Sequence, residues 1–169
     1  MSNNKRILVF TATYNEIENI RELINGIQKY LPNSSILIID DNSPDKTQEV
    51  VKELKKKNES LLLIEREKKL GLDSAHKTAF SYAIENNFDY LITMDADLSH
   101  DPKDLPEFIK NLKDNPFVIG SRYTNGGRCM MKGFRLIMSK FGNQIIKTVS
   151  GIKSNEFTTS YREIGRAHV

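Results

Sequence analysis

An α/β fold, with a mostly parallel sheet and helices on both of its faces, is predicted by three features of this sequence. Apolar runs of strand length alternate with longer segments whose apolar residues recur at helical spacing. Acids or arginines follow several of those runs, after Ile39, Met94 and Ile119, as expected where strands open onto one functional edge. Length supplies the third feature, since 169 residues suffice for one sizeable core and fall short of two ordinary domains.

Composition excludes several classes of function. With 38% hydrophobic and 28% charged residues the chain reads as a soluble globular protein, and a net charge of +3 is too mild to imply nucleic acid. The single Cys129 excludes an intramolecular disulfide and the multi-cysteine zinc patterns, in keeping with a reducing compartment. Residues 1–6 are polar, and the run Ile7 to Phe10 is too short for a signal-peptide core. No stretch approaches the roughly 20 apolar residues of a membrane span, so a cytoplasmic or peripheral location is expected.

Ile7-Leu8-Val9-Phe10, within residues 5–11, reads as the first buried strand. Ile17, Ile20, Leu23, Ile24 and Ile27 then share a helical face, with Asn15 and Glu18 spaced as a capping box and Glu16 suited to the positive helix end. Capping accounts for these polar residues. A second account sets the same loop against a nucleotide, with Tyr14 available to stack on a base. Ser35 to Asp40 is the second strand, and Asp45 or Thr47 caps a helix whose apolar face is Val50, Val51 and Leu54. Turn chemistry explains Asn42, Ser43 and Pro44 but leaves Asp40 and Asp41 unexplained. An acid there can accept hydrogen bonds from a base or ribose. The charge run Lys52 to Glu59 is a solvated face.

Leu61 to Ile64 makes a short third strand, and Lys68-Lys69-Leu70-Gly71-Leu72-Asp73-Ser74 is a basic turn into a helix bearing Ala75, Ala79, Ala83 and Ile84. Free amides and the helix dipole favour a diphosphate at such a turn, although one glycine between strand and helix needs no ligand. Neither Gly-x-Gly-x-x-Gly nor a Walker lysine motif is present, which argues against dinucleotide enzymes and P-loop NTPases.

The fourth run, Leu91 to Met94 opened by Tyr90, delivers Asp95 and Asp97 at a strand's carboxyl end. Two carboxylates about 4 Å apart repel by roughly 4 kcal/mol at an effective dielectric of 20. A hard divalent cation carrying phosphate oxygens is the natural compensator; a turn whose aspartates cap backbone amides is the alternative. Asp101-Pro102 opens the next helix, with Leu105, Phe108, Ile109 and Leu112 as its face, and Phe117 to Ile119 reads as a further strand. From Phe134 to Val149 the residues Phe134, Ile137, Met138, Phe141, Ile145 and Val149 keep helical spacing, with Arg128, Lys132, Arg135, Lys140 and Lys147 in or before the segment. Core packing with snorkelling cations and a basic helix lying on an anionic membrane both fit this pattern.

Six segments together carry a resemblance. They are Thr13-Tyr14-Asn15-Glu16-x-Glu18-Asn19-Ile20, Ile39-Asp40-Asp41-Asn42-Ser43-Pro44-Asp45-x-Thr47, Lys69-Leu70-Gly71-Leu72, Met94-Asp95-Ala96-Asp97-Leu98-Ser99-His100, Gly120-Ser121-Arg122-Tyr123 and Thr158-Thr159-Ser160-Tyr161-Arg162. In this order and spacing the chain resembles a family-2 glycosyltransferase of GT-A (Rossmann-like) fold, within the polyprenyl-phosphate or dolichyl-phosphate mannosyltransferase group. Two departures are Ala12, where the family usually has proline, and Asp73, where it has glycine.

The resemblance implies that Asp95 and Asp97, with Ser99 as a further oxygen donor, hold Mg2+ or Mn2+ against the diphosphate of a nucleotide sugar. It implies donor contacts from Thr13, Tyr14, Glu16, Asp41, Lys69 and Asp95, and a catalytic role for Asp97 together with Arg122 and Arg135, the arginines facing an anionic acceptor. The expected reaction moves a hexose with inversion, mannose from GDP-mannose, onto a polyprenyl phosphate at the cytoplasmic membrane face. Transfer from a UDP-sugar to a lipid phosphate or saccharide hydroxyl is one alternative; an inactive nucleotide-sugar or membrane-surface binding fragment is another. Residues 163–169 resemble the translation of a sequencing-adapter read, so residues 1–162 are expected to be the N-terminal part of a catalytic domain incomplete at the C-terminus, and 163–169 a non-native tail.

Overall fold

The computed structural model describes residues 5–112, 117–120, 141–148 and 162–165. Among these residues the sheet has six strands: β1 (Ile7–Thr13), β2 (Ser35–Asp40), β3 (Leu61–Glu65), β4 (Tyr90–Thr93), β5 (Phe117–Ile119) and β6 (Arg162–Gly165), in the order β3-β2-β1-β4-β6-β5. The first four pair in parallel, and β6 runs antiparallel to both β4 and β5. The mostly parallel α/β sheet expected from the sequence is thus present. No apolar run announces β6, which takes in residues 163–165 of the expected tail.

Parallel neighbours need crossovers, supplied by α1 (Ile20–Tyr30), α2 (Thr47–Lys55) and α3 (Leu72–Glu85). Two crossovers carry the chain outward from β1 to β3, and the third returns it to β4 on the other side of β1. With right-handed crossovers, that reversal puts α3 on the opposite sheet face from α1 and α2. The core divides accordingly. Val9, Ile36, Ile38 and Ile92 pack with Ile20, Leu23, Ile24, Ile27 and Val51 on one face, whereas Leu8, Phe10, Leu37, Ile39 and Leu91 pack with Ala75, Ala79 and Ala83 on the other. Fully burying one such aliphatic side chain contributes about 1.5–3 kcal/mol.

Helix starts depart from the periodicity for local reasons. α1 begins at Ile20, not at Ile17, because the Glu16 carbonyl accepts the amides of Asn19 and Ile20 and closes a turn first; Ile17 is exposed. The Asn15/Glu18 capping box does not form, since Asn15 sits at φ 63° and gives its amide to Ser43 Oγ instead. The N-cap of α2 is Lys46, in the left-handed region at φ 72°, and neither Asp45 nor Thr47; Asp45, one residue earlier, holds the helix start with its Oδ1, which accepts both the amide and the hydroxyl of Thr47, while Ile84 of α3 is exposed.

After β4, a 3-10 turn (Pro102–Asp104) capped by Asp101 leads into α4 (Leu105–Asn111), which buries Leu105 and Phe108 as expected. Residues 141–148 are helical, with Phe141, Ile145 and Ile146 exposed. Phe134, Ile137, Met138 and Val149 of the expected helix lie outside the described residues. No helix among the described residues is long and apolar enough to cross a membrane.

Gly26 joins α1 to the segment after β4. A Cβ there would stand 2.9 Å from Pro102 Cγ and 3.2 Å from Pro102 Cβ. Alanine in a helix interior normally gains about 1 kcal/mol over glycine, but overpacking costs about 1–3 kcal/mol. Gly26→Ala is therefore expected to lower stability by about 1 kcal/mol in urea unfolding; a gain would contradict the close approach.

Candidate active site

The strand order reverses between β1 and β4, and the carboxyl ends of these adjacent parallel strands flank the reversal. Loops diverge at such a switch point and leave a crevice. The β1 loop brings Thr13, Tyr14 and Glu16 to this edge, the β2 loop brings Asp40 and Asp41, and the β4 loop brings Asp95, Asp97 and Ser99. The acids that follow β2 and β4 therefore lie at one edge of the sheet, as expected of strands that end in acids. Arg122 and Arg135 lie outside the described residues.

The two adjacent acids where β2 ends, Asp40 and Asp41, serve different neighbours. Asp40, fully buried, accepts from Thr13 Oγ1 at 2.7 Å, from the amide and hydroxyl of Ser43 at 2.8 and 2.6 Å, and from Gln48 Nε2 at 2.6 Å. Asp41 pairs with Arg66 Nη1 at 2.9 Å, in a bridge whose side chains are only 9% and 6% exposed, and accepts the amides of Leu70 and Gly71 at 3.1 and 2.7 Å. Removing one partner of a buried pair costs roughly 3–5 kcal/mol, because the other charge is left uncompensated. Thr13 and Asp41, both expected to touch the donor, thus spend much of their hydrogen-bonding capacity internally.

Three hydrogen bonds fasten the β1 loop to the β2 loop: Asn15 N to Ser43 Oγ, Glu16 N to Thr47 Oγ1 and Ile17 N to Asp45 Oδ2, each 3.0 Å. They fix the backbone that carries Tyr14 and leave its ring partly exposed, with Lys69 Nζ 3.7 Å from the ring centroid. Glu16 Oε2 accepts from Asn19 Nδ2 at 2.9 Å. Burial would raise the Asp45 carboxyl, but the Thr47 hydroxyl and the Thr47 and Ile17 amides outweigh it and hold it below the usual carboxylate range.

Beyond β4 the chain folds back on itself. Leu98 takes the left-handed conformation at φ 60°, uncommon for a leucine, and its side chain packs against the α1 side of the core. The reversal lets His100 Nδ1 accept the Asp95 amide at 2.9 Å while Nε2 stands 3.6 Å from Asp95 Oδ2. Asp97 is exposed, and its Oδ1 accepts the Ser99 amide at 3.0 Å. Burial would raise its carboxyl, but the Ser99 hydroxyl and amide, with His100 acting in the same direction, hold it below the usual range.

Asp95, Asp97 and Ser99 are hard oxygen donors, the set that suits Mg2+ or Mn2+. Among the described residues no group of three or more His, Cys, Asp or Glu side chains gathers to hold a metal. The donor set fits a cation that completes its shell with phosphate oxygens, because Mg2+ commonly takes only one or two carboxylates. Arg66 and His100 are the site residues that sequence reasoning misses. Nothing distinguishes Arg66 beforehand from the charged residues beside it, and the role of His100 depends on the Leu98 reversal.

The sequence model described as Glycosyl transferase family 2 matches residues 8–159. An undecaprenyl-phosphate mannosyltransferase of Micrococcus luteus is 32% identical over 158 residues, covering 93% of this chain and 65% of the relative. A dolichol-phosphate mannosyltransferase of Pyrococcus furiosus is 40% identical over 126 residues, covering 73% of this chain and 35% of the relative. The chain thus spans less than two thirds of the length of either. Among solved structures, a mannosyltransferase of Pyrobaculum calidifontis in complex with GDP-mannose and Mn2+ superimposes with a TM-score of 0.66 at 20% identity, covering 96% of this chain and 45% of that one, which shows a shared fold.

A carboxyl depressed in the folded state stabilises the chain above its unfolded value of about 3.9 and loses that contribution as pH falls through the lower folded value. For Asp97 the window therefore lies below about pH 4. In a metal-free NMR titration the Asp97 carboxyl should titrate below its ordinary value, and Ser99→Ala should raise the midpoint; an unmoved midpoint would contradict the assigned cause.

Proposed function

The chain belongs to glycosyl transferase family 2, and on that premise we propose that it serves hexosyl transfer, moving mannose from GDP-mannose to a polyprenyl phosphate at the cytoplasmic face of a membrane. The observation that carries this reading is that the adjacent parallel strands β1 and β4 end at the same edge of the sheet, so that the Tyr14 loop and the Asp95/Asp97 loop leave it on either side of the strand reversal. The mannosyltransferases named above support the choice of sugar and acceptor.

In this reading Tyr14 offers its ring face to the base and Glu16 accepts from the nucleoside, with Thr13 and Asp41 backing the same pocket. Lys69 meets the diphosphate, leaving the Tyr14 ring to do so. Asp95 and Asp97, with Ser99, hold Mg2+ or Mn2+. When bound, the cation offsets the charge that builds on the departing diphosphate. An oxygen of the acceptor phosphate attacks the anomeric carbon, the bond to the nucleoside diphosphate breaks, and the diphosphate leaves with the bonding pair, inverting the carbon. A phosphate acceptor is already anionic at neutral pH, so no general base is required. Arg122 and Arg135 suit that acceptor, their planar forks matching its oxygens.

Transfer of radiolabelled mannose from GDP-mannose to a short polyprenyl phosphate tests the proposal. Activity should require divalent cation, and Asp97→Ala should lower it by more than about tenfold, the factor that loss of one charge-assisted contact represents. A smaller loss would contradict the role given to Asp97.

A further inference from the structure

Arg66 has no part in the chemistry above, yet it is among the most buried charged groups described. We infer that Arg66 is a positioning residue for the donor diphosphate, acting through Lys69; the inference rests on the proposed donor site and deepens it.

The turn between β3 and α3 is tied to the end of β2 on both sides. Arg66 N donates to the Asp40 carbonyl, Asn42 Nδ2 to the Glu67 carbonyl, and Leu70 N and Gly71 N to Asp41 Oδ2. Lys68 and Lys69 are left between the two sets of ties. Asp41 can hold the far side only if its carboxylate stays charged and fixed while nearly buried, and Arg66 Nη1 supplies the compensating charge at 2.9 Å. Arg66 is itself aimed from α3: its Nη2 donates to Thr78 Oγ1 at 3.0 Å, and that hydroxyl donates to the Ser74 carbonyl at 3.0 Å. Gly71, at φ 86° and ψ 165°, supplies the backbone shape that presents its amide to Asp41, in a region essentially closed to other residues.

The route therefore runs from Thr78 through Arg66 and Asp41 to the backbone that carries Lys69. A lysine ammonium is a point charge on a flexible stem, so its placement depends on where its backbone is held. Lys69 Nζ reaches the Tyr14 ring and so stands at the mouth of the donor site. Arg66 governs whether the β-phosphate of a donor is met by that charge, and does not itself touch the donor.

The test compares GDP with GMP, which differ in the β-phosphate, by calorimetry with Mn2+ on the full chain. The unaltered chain should prefer GDP, and Lys69→Ala should lower that preference by about tenfold. Arg66→Lys keeps the charge but loses the fork, and should lower the preference similarly while speeding hydrogen exchange at Leu70 and Gly71. Adding Arg66→Lys to Lys69→Ala should then change little, since one acts through the other. A folded Arg66→Lys chain with unaltered GDP preference, or fully additive losses, would overturn the inference alone. If circular dichroism finds Arg66→Lys unfolded, Thr78→Val, which removes the hydroxyl that aims the guanidinium along with that hydroxyl's own bond to the Ser74 carbonyl, replaces it: a lowered GDP preference supports the inference and an unaltered one overturns it. A folded unaltered chain that binds neither nucleotide would overturn the donor reading and this inference with it.

Discussion

The site depends on one constraint, the succession of two carboxylates where β2 ends. Neighbouring residues of an extended chain point to opposite sides, so Asp40 and Asp41 cannot serve the same loop. Asp40 gathers Thr13, Ser43 and Gln48, and Asp41 gathers Arg66 with the Leu70 and Gly71 amides. A buried carboxylate that lacks donors is expensive, at upwards of about 1–3 kcal/mol for the desolvation alone. Each acid therefore enforces the position of the loop that supplies its donors. Three loops at the carboxyl edge are held in this way before any ligand is considered.

The carboxylates at the edge divide by what they have left to give. Asp40 and Asp41 are buried and occupied. Asp97 is exposed and kept ionised by Ser99, and Asp95 faces His100 across 3.6 Å. Oxygen donors at the carboxyl edge of the sheet, an edge that also carries a lysine resting on an aromatic ring, suit a phosphorylated ligand with its cation. The occupied acids, by contrast, suit the upkeep of the shape around it.

Much of this was legible in the sequence. β2 and β5 fall where the apolar runs predicted them, and the four buried positions of α1 from Ile20 to Ile27 follow the helical period. That Asp40, Asp41, Asp95 and Asp97 come to one edge of the sheet followed from parallel strands ending in acids. What was not legible depends on contacts distant in sequence. Capping-box spacing cannot foresee that Asn15 will give its amide to Ser43, 28 residues away. Asp41 looked like a free ligand because nothing local announces Arg66, 25 residues on, as its partner. Ile17 and Ile84 matched a period whose helix either begins later or turns them outward.

Calorimetric titration of the chain with GDP and with UDP, each with and without Mn2+, decides whether the donor site exists. A donor site built on Asp95 and Asp97 predicts that GDP binds in the presence of Mn2+, that chelation removes the binding, and that UDP binds more weakly. A chain that circular dichroism finds folded, and that binds neither nucleotide or binds GDP equally well without metal, would contradict that site.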